Sequence, residues 1–236
     1  FPAGIKLQTV LDTISEQKFV VCNADEGDSG TFADRLLMEA DPYQLIEGMI
    51  IAGLAVDASQ GYIYLRSEYP LAHKMLNSAI ERAFEAGFLG SNILGSSKGF
   101  HLEVRLGAGA YICGEETAML DSLEGKRGMV RVKPPLPAIQ GLFEQPTVVN
   151  NVLTLAAMST ILQSGSVAYQ SMGSGRSRGT LVVQLAGNVK RGGLIEVPFG
   201  LTLRELVESY GQGTATGRAM RAIQVGGPLG AFLPES

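Results

Sequence analysis

Residues 107–122 read Gly-Ala-Gly-Ala-Tyr-Ile-Cys-Gly-Glu-Glu-Thr-Ala-Met-Leu-Asp-Ser, and no other stretch limits the fold as much. The residues before it, His101-Leu-Glu-Val-Arg-Leu106, alternate polar and apolar as a half-buried strand does. The residues after it, Thr117 to Glu124, have helical composition and stop at Gly125, a C′ glycine. A glycine-studded loop therefore joins a strand to a helix N-terminus. Gly107, Gly109 and Gly114 let the backbone come close to a flat or anionic ligand, and the free N–H groups of the first helical turn can donate to it. The pattern is not the dinucleotide fingerprint, because the third glycine of that motif would fall at Ile112. A competing reading is a tight strand-to-helix turn in which Glu115 and Glu116 complement the helix dipole.

The rest of the chain fits an α/β plan. Lys18-Phe-Val-Val-Cys22 is a buried strand that runs into Asn23-Ala-Asp-Glu-Gly-Asp-Ser-Gly30. Ligands of open α/β sheets sit at strand carboxyl ends, where Asn23, Asp25, Glu26 and Asp28 would lie. Their spacing is not that of a calcium loop, no metal site is expected, and a capped turn is the plain alternative. Asp41-Pro-Tyr opens a helix, residues 61–66 form a strand, and a helix from Pro70 to Ala86 ends at Gly87. Helix and strand alternate, so the sheet is expected to be parallel and covered on both faces. His73 and His101 are expected at the surface. Asn150 or Asn151 suits the N-cap of a helix over 152–162. Residues 165–179 are rich in glycine and serine and read as a linker. Beyond them a hairpin (180–185 and 194–197), a short helix (201–210) and a strand (221–225) suggest a small β-grasp domain.

The net charge of -4 argues against nucleic acid as a partner, and no apolar run reaches membrane-spanning length. The two cysteines, Cys22 and Cys113, make neither a metal-ligand pair at short spacing nor a disulfide framework, which fits a reducing, cytoplasmic setting.

Residues 107–118 resemble the signature of the NADH-oxidising flavoprotein subunit of respiratory complex I. The same pattern occurs in the diaphorase subunits of NAD-dependent formate dehydrogenases and NAD-reducing hydrogenases, and the resemblance runs along essentially the whole chain. It implies a Rossmann-like FMN/NADH domain over 1–164, a linker over 165–179 and a ubiquitin-like β-grasp domain of the soluble-ligand-binding (SLBB) type over 180–236. The activity it implies is an FMN-dependent NADH dehydrogenase, or diaphorase, passing electrons to the iron–sulfur clusters of a larger formate dehydrogenase or hydrogenase complex. The complex I subunit itself is the alternative within that class, and a non-catalytic docking scaffold is the alternative outside it. Partners implied are NADH, a 2Fe-2S thioredoxin-like subunit and further electron-transfer subunits, without direct membrane insertion.

Carried over residue by residue, the resemblance assigns Lys6, Asn23, Asp25, Gly114, Glu115, Asn150 and Asn151 to FMN. It assigns Phe1, Asp28, Glu116 and Lys133 to NADH, with Glu26, Asp28 and Tyr111 as groups that tune the flavin. Leu7 and Leu136 stand where complex I members carry aromatic rings. Asp28 and Leu153 replace glutamates, and Gly-Asp-Ser-Gly (residues 27–30) is closer to the soluble diaphorases. The sequence starts mid-motif and looks like a fragment, so weak FMN binding is expected of it alone. A 4Fe-4S cluster is implied only for the full-length protein, since its four cysteines are not among these residues.

Overall fold

The structure, a computed structural model, describes residues 2–234. Two compact units divide the chain: Phe1–Gly27 with Asp34–Thr160, and Asp28–Ala33 with Ile161–Ser236.

The first unit is built around β1 (Phe19–Ala24), in which every residue but Asn23 is buried. Such a strand needs neighbours on both edges and layers on both faces. The edges are β2 (Gln60–Leu65) and β4 (Thr147–Asn151), and β3 (His101–Leu106) lies beyond β2, giving the order β3-β2-β1-β4. All three pairings are parallel. The parallel α/β sheet expected from the sequence is thus formed. β4 was not foreseen: its apolar core is only Thr-Val-Val before two asparagines, too short to register as a strand pattern.

Side-chain alternation along β1 splits the interior in two. Val20, Cys22 and Ala24 join the larger cluster, with residues of α1 (Ala3–Asp12), α2 (Ala33–Ala40), α3 (Pro42–Val56), α4 (Pro70–Glu85) and α6 (Val152–Ser164). Phe19 and Val21 join the smaller cluster with Met119 and Leu120 of α5 (Glu116–Leu123). The fully buried Phe100 ring fits because Gly53 and Gly61 lack a side chain; a Cβ on either would stand 2.5 Å from ring atoms. Helix α3 starts as expected, with Asp41 accepting from Gln44 N and Pro42 at its first position. The resemblance makes residues 1–6 the tail of a glycine-rich loop, whereas residues 3–6 form the first turn of α1.

After β3 the chain returns to the far side of β1, so strand order reverses between β1 and β4. Open α/β sheets leave a crevice at the carboxyl ends of such a pair.

In the second unit, β7 (Thr180–Leu185) and β8 (Gly193–Pro198) make the expected antiparallel hairpin. Thr202 and Glu205 form a capping box at the helical stretch that follows. β9 (Ala222–Val225) pairs with β10 (Ala231–Pro234) and not with that hairpin, so no single β-grasp sheet is formed among the described residues. The stretch 165–179 is more than linker: it carries α7 (Ser166–Ser171) and a two-residue-per-strand hairpin of β5 (Gly173–Ser174) and β6 (Ser177–Arg178). Its glycines serve the turns, with Gly173, Gly175 and Gly179 all at positive φ.

Candidate functional site

The crevice holds a cavity of about 220 Å³ lined by Lys6, Asn23, Glu116, Val149, Asn150, Asn151 and Thr154. Four structural elements meet there: the first turn of α1, the end of β1, the first residue of α5, and the end of β4 running into α6. A second cavity, of about 210 Å³ between Tyr62, Arg105 and Phe143, contains none of the residues singled out from the sequence.

The asparagine pair at the end of β4 divides its work. Asn151 caps α6: its Oδ1 accepts from Leu153 N at 2.9 Å, while its Nδ2 donates to Asp34 Oδ2 at 2.6 Å. Asn150 is buried, yet its Nδ2 has no partner. A buried amide left unpaired costs about 1–3 kcal/mol, so this donor is one that a ligand acceptor in the cavity would satisfy. Asn23, across on β1, donates to the Gly114 carbonyl oxygen at 2.8 Å and accepts from Asp25 N at 3.3 Å. A Cβ on Gly114 would have only the Asp25 carbonyl oxygen within 4 Å, so the glycine leaves space beside Asn23. Burial raises the Asp25 carboxyl above its usual range, with Arg66 pulling it down and Glu68 pushing it up.

Charge is concentrated at the start of α5. Glu115 is its N-cap, accepting from Thr117 N at 2.8 Å, Ala118 N at 2.9 Å and Thr117 Oγ1 at 2.6 Å. Burial alone would raise its pKa, but these bonds and Lys133 bring it down to about 2. Glu116 lies between two lysines: Lys133 Nζ reaches its Oε1 at 2.7 Å and Lys6 Nζ its Oε2 at 3.3 Å. Lys133 also meets Glu115 Oε1 at 2.9 Å, and Lys6 also donates to the Val149 carbonyl oxygen at 2.6 Å. The sequence assigned Lys6 and Glu116 to different ligands, and they lie in direct contact.

Glu26 stands apart from this cluster. Its carboxylate takes Asp34 N and Arg35 N at the start of α2 and the Tyr69 hydroxyl at 3.0 Å. Burial, then Glu26, pushes the Tyr69 hydroxyl up to about 12. Tyr111 is exposed, its ring 3.0 Å from where a Cβ on Gly27 would stand. Asp28 belongs to the second unit, where its carbonyl oxygen accepts from Thr31 and its carboxylate fills the place of a Cβ on Gly227. Phe1 lies outside the described residues. Asp34 and Thr154 were missed: each reads in sequence as an ordinary residue of a helix's first turn, and only the fold brings them to the crevice.

The family model for the Nuo51 FMN-binding domain matches residues 1–160. An NADH-quinone oxidoreductase component of Rhizobium meliloti (strain 1021) is 48% identical over 235 residues, covering 100% of this chain and 56% of that protein. The NADP-reducing hydrogenase component HndC of Solidesulfovibrio fructosivorans is 48% identical over 233 residues, covering 99% of this chain and 47% of that protein. A solved NAD+-reducing nickel–iron hydrogenase in its H2-reduced state superposes with a TM-score of 0.90 at 39% identity, over 100% of this chain and 39% of that one. The chain spans about half the length of the curated relatives it matches.

Proposed function

The chain belongs to the Nuo51 FMN-binding family, and from that membership we propose that it is the FMN- and NADH-binding module of an NADH dehydrogenase or diaphorase. The observation that carries the reading is the unpartnered Nδ2 of buried Asn150 at the β1/β4 switch point. The residues around it suit FMN: amide donors and acceptors for a flat heterocycle, lysine for phosphate, and a glycine, Gly114, that leaves open space beside Asn23.

In this reading Asn23, Asn150 and Asn151 hold the flavin ring by hydrogen bonds, with Asp25 and Gly114 beside them. Lys6 supplies positive charge to the flavin side, and Glu115 fixes the start of α5. Glu116 and Lys133 meet the adenosine ribose of NADH, and Glu26 and Tyr111 act on the flavin from further out. The chemistry supplied by bound FMN is hydride exchange with NAD(H) and onward release of electrons one at a time. The protein groups bind, orient and exclude water, and none need act as acid or base.

For the protein as a whole we propose an NAD-linked formate dehydrogenase or hydrogenase assembly, with a 2Fe-2S thioredoxin-like partner and a 4Fe-4S domain following this chain. Residues 1–164 would be the flavin domain and 180–236 an SLBB-type domain. A second reading, the complex I subunit, is supported by the relatives named for NADH-quinone oxidoreductase in Rhizobium meliloti and Aquifex aeolicus. Purified intact protein should show flavin absorbance and reduce ferricyanide with NADH. Colourless protein that takes up no FMN would sink the enzyme reading in favour of a scaffold. Co-purification with a hydrogenase, formate dehydrogenase or quinone-reductase subunit separates the assemblies.

A further inference from the structure

Asn151 is fixed at both ends of its amide. Turned over, the amide would set Nδ2 against the N–H of Leu153 and Oδ1 against the Asp34 carboxylate, two repulsive contacts in place of two hydrogen bonds. Helix α6 and Asp34 therefore agree on one orientation. That orientation leaves one Nδ2 hydrogen and one Oδ1 lone pair available to the cavity that Asn151 lines. Asp34 is well placed to enforce it, being only 5% exposed. It is also not needed as a cap for its own helix, because Glu26 takes the backbone N–H groups of Asp34 and Arg35.

We propose that Asp34 is a positioning residue for the flavin cavity: it holds the Asn151 amide in the orientation presented to the ligand, through a charge-assisted hydrogen bond that weakens when Asp34 takes up a proton. The inference deepens the FMN reading above and rests on it for the identity of the ligand.

The charged and titratable groups around Asp34 bring its protonation near neutrality. Asn151 faces it from β4, Glu26 from the loop after β1, and the Cys22 thiol from β1 itself. Burial raises the Asp34 carboxyl, the Glu26 charge raises it further, and the Asn151 hydrogen bond opposes them, leaving it at about 7. Ionised Asp34 only accepts, and so holds Asn151 as observed. Protonated Asp34 keeps an acceptor oxygen but loses its charge and gains an O–H that an amide oxygen would satisfy, so the turned-over Asn151 competes with the observed one, which the cap of α6 still favours. Orientation at the cavity is therefore secured above about pH 7 and loosened below it.

Two measurements test this. The first needs no FMN: the side-chain amide resonances of Asn151 are followed by NMR from about pH 5 to 9. They should shift with a midpoint near neutrality in the wild-type chain, and the shift should vanish in Asp34→Asn, which keeps the shape and cannot titrate. Asn151 resonances that do not move in the wild type, or that move equally in Asp34→Asn, overturn the proposal. The second is the FMN dissociation constant of the intact protein over the same range. Binding should weaken about three- to tenfold below neutrality in the wild type and stay level in Asp34→Asn. An unchanged pH profile in Asp34→Asn overturns the proposal as well. Protein that binds no FMN at any pH defeats the functional reading instead, and the amide titration then decides the role of Asp34 alone.

Discussion

Along β1 and β4 the packing changes character within one or two residues. Over residues 19–22 and 148–149 the side chains are apolar, buried and packed into the clusters on the two faces of the sheet. At Asn23, Asn150 and Asn151 they turn polar, and the chain there holds states a stability-driven interior avoids: the Asn150 amide with no partner, and, against Asn151, the Asp34 carboxyl of α2 raised by burial to about 7. The first region contributes stability. The second forfeits some of it, and a bound ligand would return it through the hydrogen bonds the chain leaves open.

The largest effect that should separate the two regions is Phe100→Ala. It empties a fully buried site lined by glycines that cannot fill the space, at a cost of about 3–5 kcal/mol in urea unfolding. Where the variant remains folded, its FMN affinity should match wild type; a loss of both would mean the regions are not separable.

Glu116→Ala acts on the polar region alone. An acidic group suits a free ribose and repels an adenosine 2′-phosphate by roughly 1–4 kcal/mol at about 4 Å, or about fivefold to several hundredfold. The variant should gain NADPH efficiency relative to NADH. Its melting temperature should move little, since partly exposed ion pairs such as those to Lys6 and Lys133 contribute about 0–1 kcal/mol. A constant NADPH/NADH ratio with a lowered melting point would make Glu116 a structural anchor for the two lysines.

The asparagines sharpen the comparison within a single dipeptide. Asn151→Ala should cost about 0.5–2 kcal/mol of stability, because it removes the cap of α6, and should also lower flavin occupancy. Asn150→Ala should lower flavin occupancy by the equivalent of about 1–3 kcal/mol without loss of stability. Equal destabilisation by both would erase the distinction.

The two perturbed carboxyls, Asp34 and Glu115, act on stability with opposite signs. Between 3.8 and about 7 the folded chain holds more protons at Asp34 than the unfolded chain, so stability declines as pH rises through that window, and Asp34→Asn should remove the decline. Glu115, lowered from 4.5 to about 2, contributes stability above 4.5 that is lost as pH falls towards 2. Thermal melting across pH in Asp34→Asn and Glu115→Gln reads both.

The same contrast explains what the sequence made legible. Core strands and helices announce themselves by periodicity and caps, as β1, Asp41-Pro42 and the glycine after α5 do. β4 does not, because two of its five residues are asparagines, and its neighbours in space are distant in sequence. Of the site, the motif over 107–118 and its resemblance pointed to the glycine and glutamates at α5. The pairing of Asp34 with Asn151, 117 positions apart, exists only once the sheet has formed. In the second unit the hairpin was readable from its turn, whereas the pairing of β9 with β10 follows from the tight Gly226–Gly227 turn, both glycines at positive φ.

The measurement that bears most directly on the account is the FMN content of purified intact protein beside that of Asn150→Ala, after dialysis and with a melting curve for each. Stoichiometric flavin is expected in the wild type, marked loss in the variant, and a variant that melts no lower than the wild type without FMN. Equal flavin retention in the two proteins would contradict it, because the unpaired amide at the β1/β4 switch point would then not be what holds the ligand.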